Sequence, residues 1–147
     1  MRIEKSVIVK APIQKAWETL LDPVAVGGCV PGVAHVETVD PTHYVVSVNV
    51  KVGFVRARFK VNVTVTETRP PHFLRSEGFG DEAGLTSSLR QSTELELSEV
   101  GPNETALRVR TEVDVFGVLG TFGYSVIKGK AEKMWDEFAA NLKARIE

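Results

Sequence analysis

Four stretches of this chain alternate apolar and polar residues with a period of two, and that pattern restricts the fold more than any other feature. Val55, Ala57, Phe59, Val61, Val63 and Val65 alternate with Arg56, Arg58, Lys60, Asn62, Thr64 and Thr66. Tyr44, Val46, Val48, Val50 and Val52 alternate with Val45, Ser47, Asn49 and Lys51. Leu89, Gln91, Thr93, Leu95 and Leu97 alternate with Arg90, Ser92, Glu94 and Glu96, and Leu107, Val109, Thr111, Val113 and Val115 with Arg108, Arg110, Glu112 and Asp114. Successive side chains of a strand point to opposite faces, so each run has one buried face and one wet face. Turn residues separate the runs at Asp40–Thr42, Gly53, Pro70-Pro71 and Val100–Glu104. Phe73–Phe79 reads as a weaker strand, followed by a flexible turn at Gly78–Gly84. Strands in series joined by tight turns make an antiparallel sheet.

The ends of the chain follow a different period. Ile3–Val9 is a short strand broken by charges. Pro12 suits the first turn of a helix, and Ile13, Ala16, Trp17, Leu20 and Leu21 recur at helical spacing. Asp22-Pro23 ends that helix, because the residue before proline avoids the helical region. Val33–Val39 resumes the strands. At the other end, Gly117, Gly120 and Gly123 precede a long helix with the apolar stripe Phe122, Val126, Ala131, Met134, Trp135, Phe138, Leu142 and Ile146. About 25 residues of helix span roughly 37 Å. A twisted sheet of seven strands curls, and the long helix is expected in its concave face. The reading is one α+β domain over residues 1–147: a curved seven-stranded antiparallel sheet around a C-terminal helix, with two short helices after the first strand.

The 147 residues suffice for one substantial core. A formal net charge of −1 gives no basic excess for nucleic acid. The single cysteine, Cys29, forms no internal disulfide and suits a reducing, cytoplasmic setting. Charges inside the first apolar run argue against a signal peptide, and no run is long enough for a membrane-spanning helix.

Little in the chain suggests catalysis or a metal. His35, His43 and His72 are scattered near strand ends and turns, so no metal site is expected. Cys29 has no histidine nearer in sequence than His35 and reads as a small buried hydrophobe. Glu94, Glu96, Glu112 and Asp114 fall on outer faces, and the facing of Glu77 is open. Arg56, Arg58, Lys60, Arg108 and Arg110 also face outward and read as a solvated surface, with an acidic partner or anionic lipid as the alternative. The stronger signal is polar residues facing inward. Gln91, Thr93 and Thr111 sit among leucines and valines, where a buried amide or hydroxyl needs a partner. That partner is the backbone, trapped water, or the polar head of an apolar ligand.

The order of elements resembles the helix-grip fold of the START and birch-pollen-allergen superfamily (SRPBCC). Within it, "LLDP" at Leu20–Pro23, "CVPG" at Cys29–Gly32 and "VKVGFVRARFK" at Val50–Lys60 resemble the carbon monoxide dehydrogenase CoxG family over nearly the whole chain. Phe54 stands where that family usually has proline, and Val61 where it often has glycine. The chain ends at Glu147 without the extension and membrane anchor of many relatives, so membrane attachment is not carried over, although peripheral contact stays open.

The resemblance implies a cavity between the long helix and the sheet for an apolar or amphiphilic molecule. It also implies a link to molybdenum hydroxylases of the carbon monoxide dehydrogenase type. The residues expected to line the cavity are Trp17, Val26, Cys29, Val30, Phe59, Gln91, Thr93, Thr111, Met134, Trp135 and Phe138. "VAVGGCVPG" at Val24–Gly32 would cross the open end, with Gly27 and Gly28 as a gate and Val24 facing the ligand; the plain alternative is a tight turn that seals the core. Three functions follow. The first is a non-enzymatic binding protein that encloses a lipid-like or quinone-like molecule, without a cofactor, as an accessory, assembly or electron-supply factor for such a hydroxylase. The second is a helix-grip enzyme, cyclase or hydrolase-like, using Glu77, His72 or Cys29. The third is an interaction protein whose interior is filled by its own side chains.

Overall fold

The computed structural model describes residues 1–84 and 86–147. The elements run β1 (Arg2–Val9), α1 (Ile13–Leu21), α2 (Pro23–Cys29), β2 (Val33–Asp40), β3 (His43–Val52), β4 (Val55–Arg69), β5 (Phe73–Glu82), β6 (Ser87–Gly101), β7 (Glu104–Gly117), a 3₁₀ turn at Leu119–Phe122 and α3 (Tyr124–Ile146). The seven strands form one antiparallel sheet in the order β1-β7-β6-β5-β4-β3-β2. The first strand thus returns to pair with the last, and α3 closes the face between them. This is the helix-grip architecture that the alternation and the terminal stripe imply.

Asp22 explains how two helices follow each other without a loop. Its backbone N–H closes α1 onto the Thr19 carbonyl. Its carboxylate accepts from the N–H groups of Val24 at 3.0 Å and Ala25 at 3.3 Å, which caps α2. Pro23 occupies the first turn of α2, where its missing N–H has no role. One residue therefore stops one helix and starts the next.

The interior has two apolar clusters. One joins β1, α1, α2 and the C-terminal half of α3 to β6 and β7, through Val9, Trp17, Leu20, Cys29, Leu97, Leu107, Phe138, Leu142 and Ile146. The other joins β3, β4 and the 3₁₀ turn to the N-terminal half of α3, through Val48, Val52, Ala57, Phe59, Val61, Val63, Leu119 and Ile127. Leu142 and Ile146 are wholly buried, so each contributes about 1.5–3 kcal/mol of hydrophobic burial. Thr105, also fully buried, donates to the Ala11 carbonyl at 2.8 Å and ties β7 to the β1–α1 corner.

Two local expectations change. Gly78–Glu82 belongs to β5, where the sequence predicts a flexible turn. Its alternation is hidden because the inward positions there are glycines. A Cβ on Gly80 would lie 2.8 Å from the Lys60 carbonyl oxygen and 2.9 Å from Val61 Cγ2, so the close approach of β4 and β5 excludes a side chain. In α3 the stripe is displaced by one residue at its start. Val126 is half exposed and Ile127 is buried in its stead, because the 3₁₀ turn takes up Leu119–Phe122 before the helix begins. Among the described residues no helix is long and apolar enough to cross a membrane.

Candidate functional site

The inner face of the sheet carries the candidate residues, and strand register places them in rungs. Thr93 pairs across to Thr111 on β7 and to Ser76 on β5, and Gln91 pairs to Val113 and to Gly78. Glycine at 78 leaves room for the Gln91 side chain, since a Cβ there would lie 2.7 Å from Gln91 Nε2. The three polar residues form one chain. Thr111 Oγ1 donates to the Ser92 carbonyl at 3.2 Å, Thr93 and Thr111 hydroxyls are 2.8 Å apart, and Thr93 contacts the Gln91 amide. Each hydroxyl has one proton. With the Thr93 proton on Gln91 Oε1, the Thr111 proton is shared between the Thr93 hydroxyl oxygen and the Ser92 carbonyl. Thr93 and Thr111 are buried, while Gln91 is half exposed. Hydrogen bonds within the protein thus satisfy the threonines. Gln91 is the member of the chain with an accessible polar group.

The other candidates divide between the two clusters. Trp17, Cys29 and Phe138 are buried in the first, with Val26, Val30 and Trp135 packed against it. Trp135 meets Phe138 edge-to-face, with ring centroids 5.1 Å apart. Phe59 is 2% exposed within the second cluster, and Met134 packs partly buried against it. The void between Trp135, Phe138, Leu142 and β1 holds about 10 Å³, close to the room for one water. On this side the grip is filled.

The other side is less closed. Tyr44, Val46, Val50, Val55, Leu89, Val115, Phe122 and Met134 all pack against the second cluster, yet each remains partly exposed. They cover the second cluster incompletely along β3, β4 and the N-terminal half of α3. Burial raises the pKa of the Tyr44 phenol, which keeps it a protonated donor.

The stretch Val24–Gly32 is a clamp between elements. Val24 is exposed, so it does not face the interior. Gly27 packs so closely on β2 that a Cβ would fall on the Val36 side chain, whereas a Cβ on Gly28 would find Arg145 at 3.8 Å as its nearest neighbour. Both lie inside α2, and neither has a positive φ. The left-handed conformation belongs to Gly32, with φ +85°. Asn141 Nδ2 on α3 donates to the Cys29 carbonyl at 3.0 Å, which fastens α2 to α3. Burial pushes the Cys29 thiol up, so it stays protonated and is a poor nucleophile.

The residues considered for catalysis are dispersed. Glu77 is exposed on the outer face, in register with Thr64 and Ser92. His72 contacts the Leu97 carbonyl at the β4–β5 turn, and His43 is held by Asp40 at 2.9 Å in the β2–β3 turn. That histidine and the Thr42 N–H hold the Asp40 carboxyl down at about 2. An open depression of about 620 Å³ crosses the outer face beside Glu77, Phe79, Arg90, Glu112 and Asp114. It lies on the opposite side of the sheet from α3, and its carboxylates suit water better than an apolar guest.

Sequence reasoning misses Lys5. It faces inward on β1, and its Nζ reaches Asp136 at 3.2 Å and Glu132 at 3.9 Å on α3. The bridge holds α3 against β1 and seals the filled side. The charge inside the apolar run Ile3–Val9 is its signal.

The fold is shared with solved structures at low sequence identity. A conserved protein from Geobacillus kaustophilus aligns with a TM-score of 0.90 at 18% identity, covering 99% of this chain and 95% of that one. A START superfamily protein from Mycobacterium smegmatis gives 0.73 at 16% identity, covering 99% and 96%. An aromatase/cyclase from Streptomyces sp. R1128 gives 0.74 at 15% identity, covering 99% and 93%. No curated protein matches by sequence. The profile of the carbon monoxide dehydrogenase CoxG family matches residues 6–147. With a START-like helix grip and a family match over nearly its whole length, the chain belongs to the carbon monoxide dehydrogenase CoxG family.

Proposed function

We propose that this protein is a non-enzymatic binding protein that holds a lipid-like or quinone-like molecule between β3, β4 and the N-terminal half of α3. The observation behind this reading is the contrast between the two halves of the grip. The C-terminal half of α3 is sealed, with Leu142 and Ile146 wholly buried. The N-terminal half leaves Tyr44, Val46, Val50 and Met134 partly exposed on the inner face. Apolar walls with a few placed polar groups suit such a ligand. Tyr44 and Gln91 are the polar groups available to a carbonyl or headgroup oxygen. The protonated thiol of Cys29 and the outward Glu77 favour binding over turnover. Family membership supports service to a molybdenum hydroxylase of the carbon monoxide dehydrogenase type, in the cytoplasm, as assembly or electron-supply factor.

The small void beside Trp135 favours a second reading, an interaction protein with a filled interior. One titration separates the two. In a Trp17→Phe background Trp135 is the remaining tryptophan, and an alkyl-tailed benzoquinone is added while its emission is followed. Saturable quenching is expected. Met134→Glu, confirmed as folded by circular dichroism, should weaken it by about tenfold or more, since burying a carboxylate against the ligand is unfavourable. Unsaturable quenching, or equal affinity in the Met134→Glu protein, would leave the filled interior as the correct account.

A further inference from the structure

Resting on the reading of an apolar ligand held inside the grip, we propose that Gln91 makes the site selective for redox state, so that a quinone binds more tightly than its hydroquinone. Strand register puts Tyr44, Val63, Gly78 and Gln91 opposite one another on β3, β4, β5 and β6. That rung spans three strand spacings, about 14 Å on a flat sheet. Gly78 has no side chain, so the Gln91 amide folds over it toward β4. A Cβ at Gly78 would lie 2.7 Å from Gln91 Nε2 and 3.2 Å from Val61 Cγ1. Val61 belongs to the second apolar cluster, and Leu89 packs against the same cluster from β6. The amide therefore stands at the margin of the apolar wall that would face the ligand.

The threonine chain fixes which end of the amide is free. Thr93 donates to Gln91 Oε1, and the Thr93 and Thr111 hydroxyls are 2.8 Å apart. The carbonyl end of the amide is engaged, and Nε2 donates to no acceptor among the described residues. Every buried side-chain nitrogen and oxygen among those residues has a hydrogen-bond partner, so Nε2 is accessible. An amide nitrogen donates and does not accept. A quinone presents two carbonyl oxygens, which accept and bring no proton. Its hydroquinone presents two hydroxyls, and each brings a proton that needs an acceptor. Facing Nε2, the carbonyl is satisfied with nothing left over. The hydroquinone oxygen also accepts from Nε2, but its O–H then points at the valines of β4, and a buried donor without a partner is costly. Tyr44, at the far end of the rung, has a hydroxyl that turns to suit either form, so it adds affinity without choosing. The preference gives binding a direction: the oxidised molecule is held and the reduced one is released.

The experiment is isothermal titration calorimetry of the full chain, in the absence of oxygen, with an alkyl-tailed benzoquinone and with the same molecule reduced to its hydroquinone. The quinone is expected to bind about tenfold more tightly, the factor that one unmet hydrogen bond supplies. Binding then lowers the two-electron midpoint potential of the molecule by about 30 mV. Gln91→Glu keeps an oxygen to accept from Thr93 and replaces Nε2 by a second acceptor. At about pH 8, where that carboxyl is ionised, the hydroquinone should become the tighter ligand. Gln91→Met removes the amide, and the two forms should bind about equally. Variants are compared only after circular dichroism spectra that match the parent. A purely structural role for Gln91 would weaken both forms alike and leave their ratio unchanged. Equal affinities in the parent, a tighter hydroquinone in the parent, or the parental ratio in either folded variant would overturn the preference and leave the binding reading standing. If the parent binds neither form, the binding reading itself fails, and the preference with it. The parent comparison decides the matter even where a variant does not fold.

Discussion

Gly32→Ala is expected to destabilise the protein by about 2–4 kcal/mol, or to prevent its accumulation in folded form. Two effects act together. The left-handed conformation at φ +85° costs an alanine about 1–2 kcal/mol. An added Cβ would also fall on the Asn49 carbonyl oxygen, which is backbone of β3 and cannot turn aside. Shifting Gly32 away would break the bond from the Asn49 N–H to the Gly32 carbonyl, 2.8 Å long, at the start of the β2–β3 pairing. Gly28→Ala is the internal contrast. That site is exposed, helical and open, so alanine should be neutral or stabilise by up to about 1 kcal/mol. Urea denaturation of both variants measures the difference. Equal effects would show that the α2–β2 junction is not the constrained point.

Phe59→Ala is expected to remove about 3–5 kcal/mol, the usual range for a large buried aromatic. Phe59 is 2% exposed at the centre of the second cluster, facing Val48 across β3 and β4. Its neighbours belong to rigid strands and cannot collapse into the space. Trp135→Ala should lose less, although tryptophan is larger, because Trp135 is only partly buried. A larger loss at Trp135 than at Phe59 in the same denaturation series would mean that the filled side of the grip, and not the β3–β4 side, carries the more stable core.

The sheet is legible in the sequence because a period of two admits few alternatives. Alternation alone puts the inward residues of β3, β4, β6 and β7 on their correct face. The pattern fails where side chains are missing. Gly78 and Gly80 give no apolar signal, so the inner face of β5 reads as a turn, although that strand's glycines let it approach β4 and make room for Gln91. The start of α3 slips by one residue because a 3₁₀ turn has three residues per turn, which displaces a stripe counted at helical spacing.

The candidate site is legible in composition and less so in shape. The chain of Gln91, Thr93 and Thr111 is recognisable as polar residues at inward positions. That they mostly satisfy one another depends on the register between β6 and β7, which no single stretch contains. The paired glycines draw attention to Gly27 and Gly28, but a helix gives both ordinary φ angles, and the constrained residue is Gly32, four or five positions later. How completely the grip is filled is the least accessible quantity. It depends on how far side chains from β1 and α3 reach, as Lys5 does toward Asp136, and alternation carries no information on reach.

Native mass spectrometry measures the central claim most directly. The chain, 16.1 kDa, would be purified without detergent and sprayed under gentle conditions, then offered an alkyl-tailed benzoquinone and sprayed again. The account predicts a population shifted by the mass of one lipophilic molecule, either carried through purification or acquired on addition, and a much smaller shifted population for folded Met134→Glu. Spectra that show the bare chain alone before and after addition, or equal occupancy in Met134→Glu, would contradict a ligand held between β3, β4 and the N-terminal half of α3.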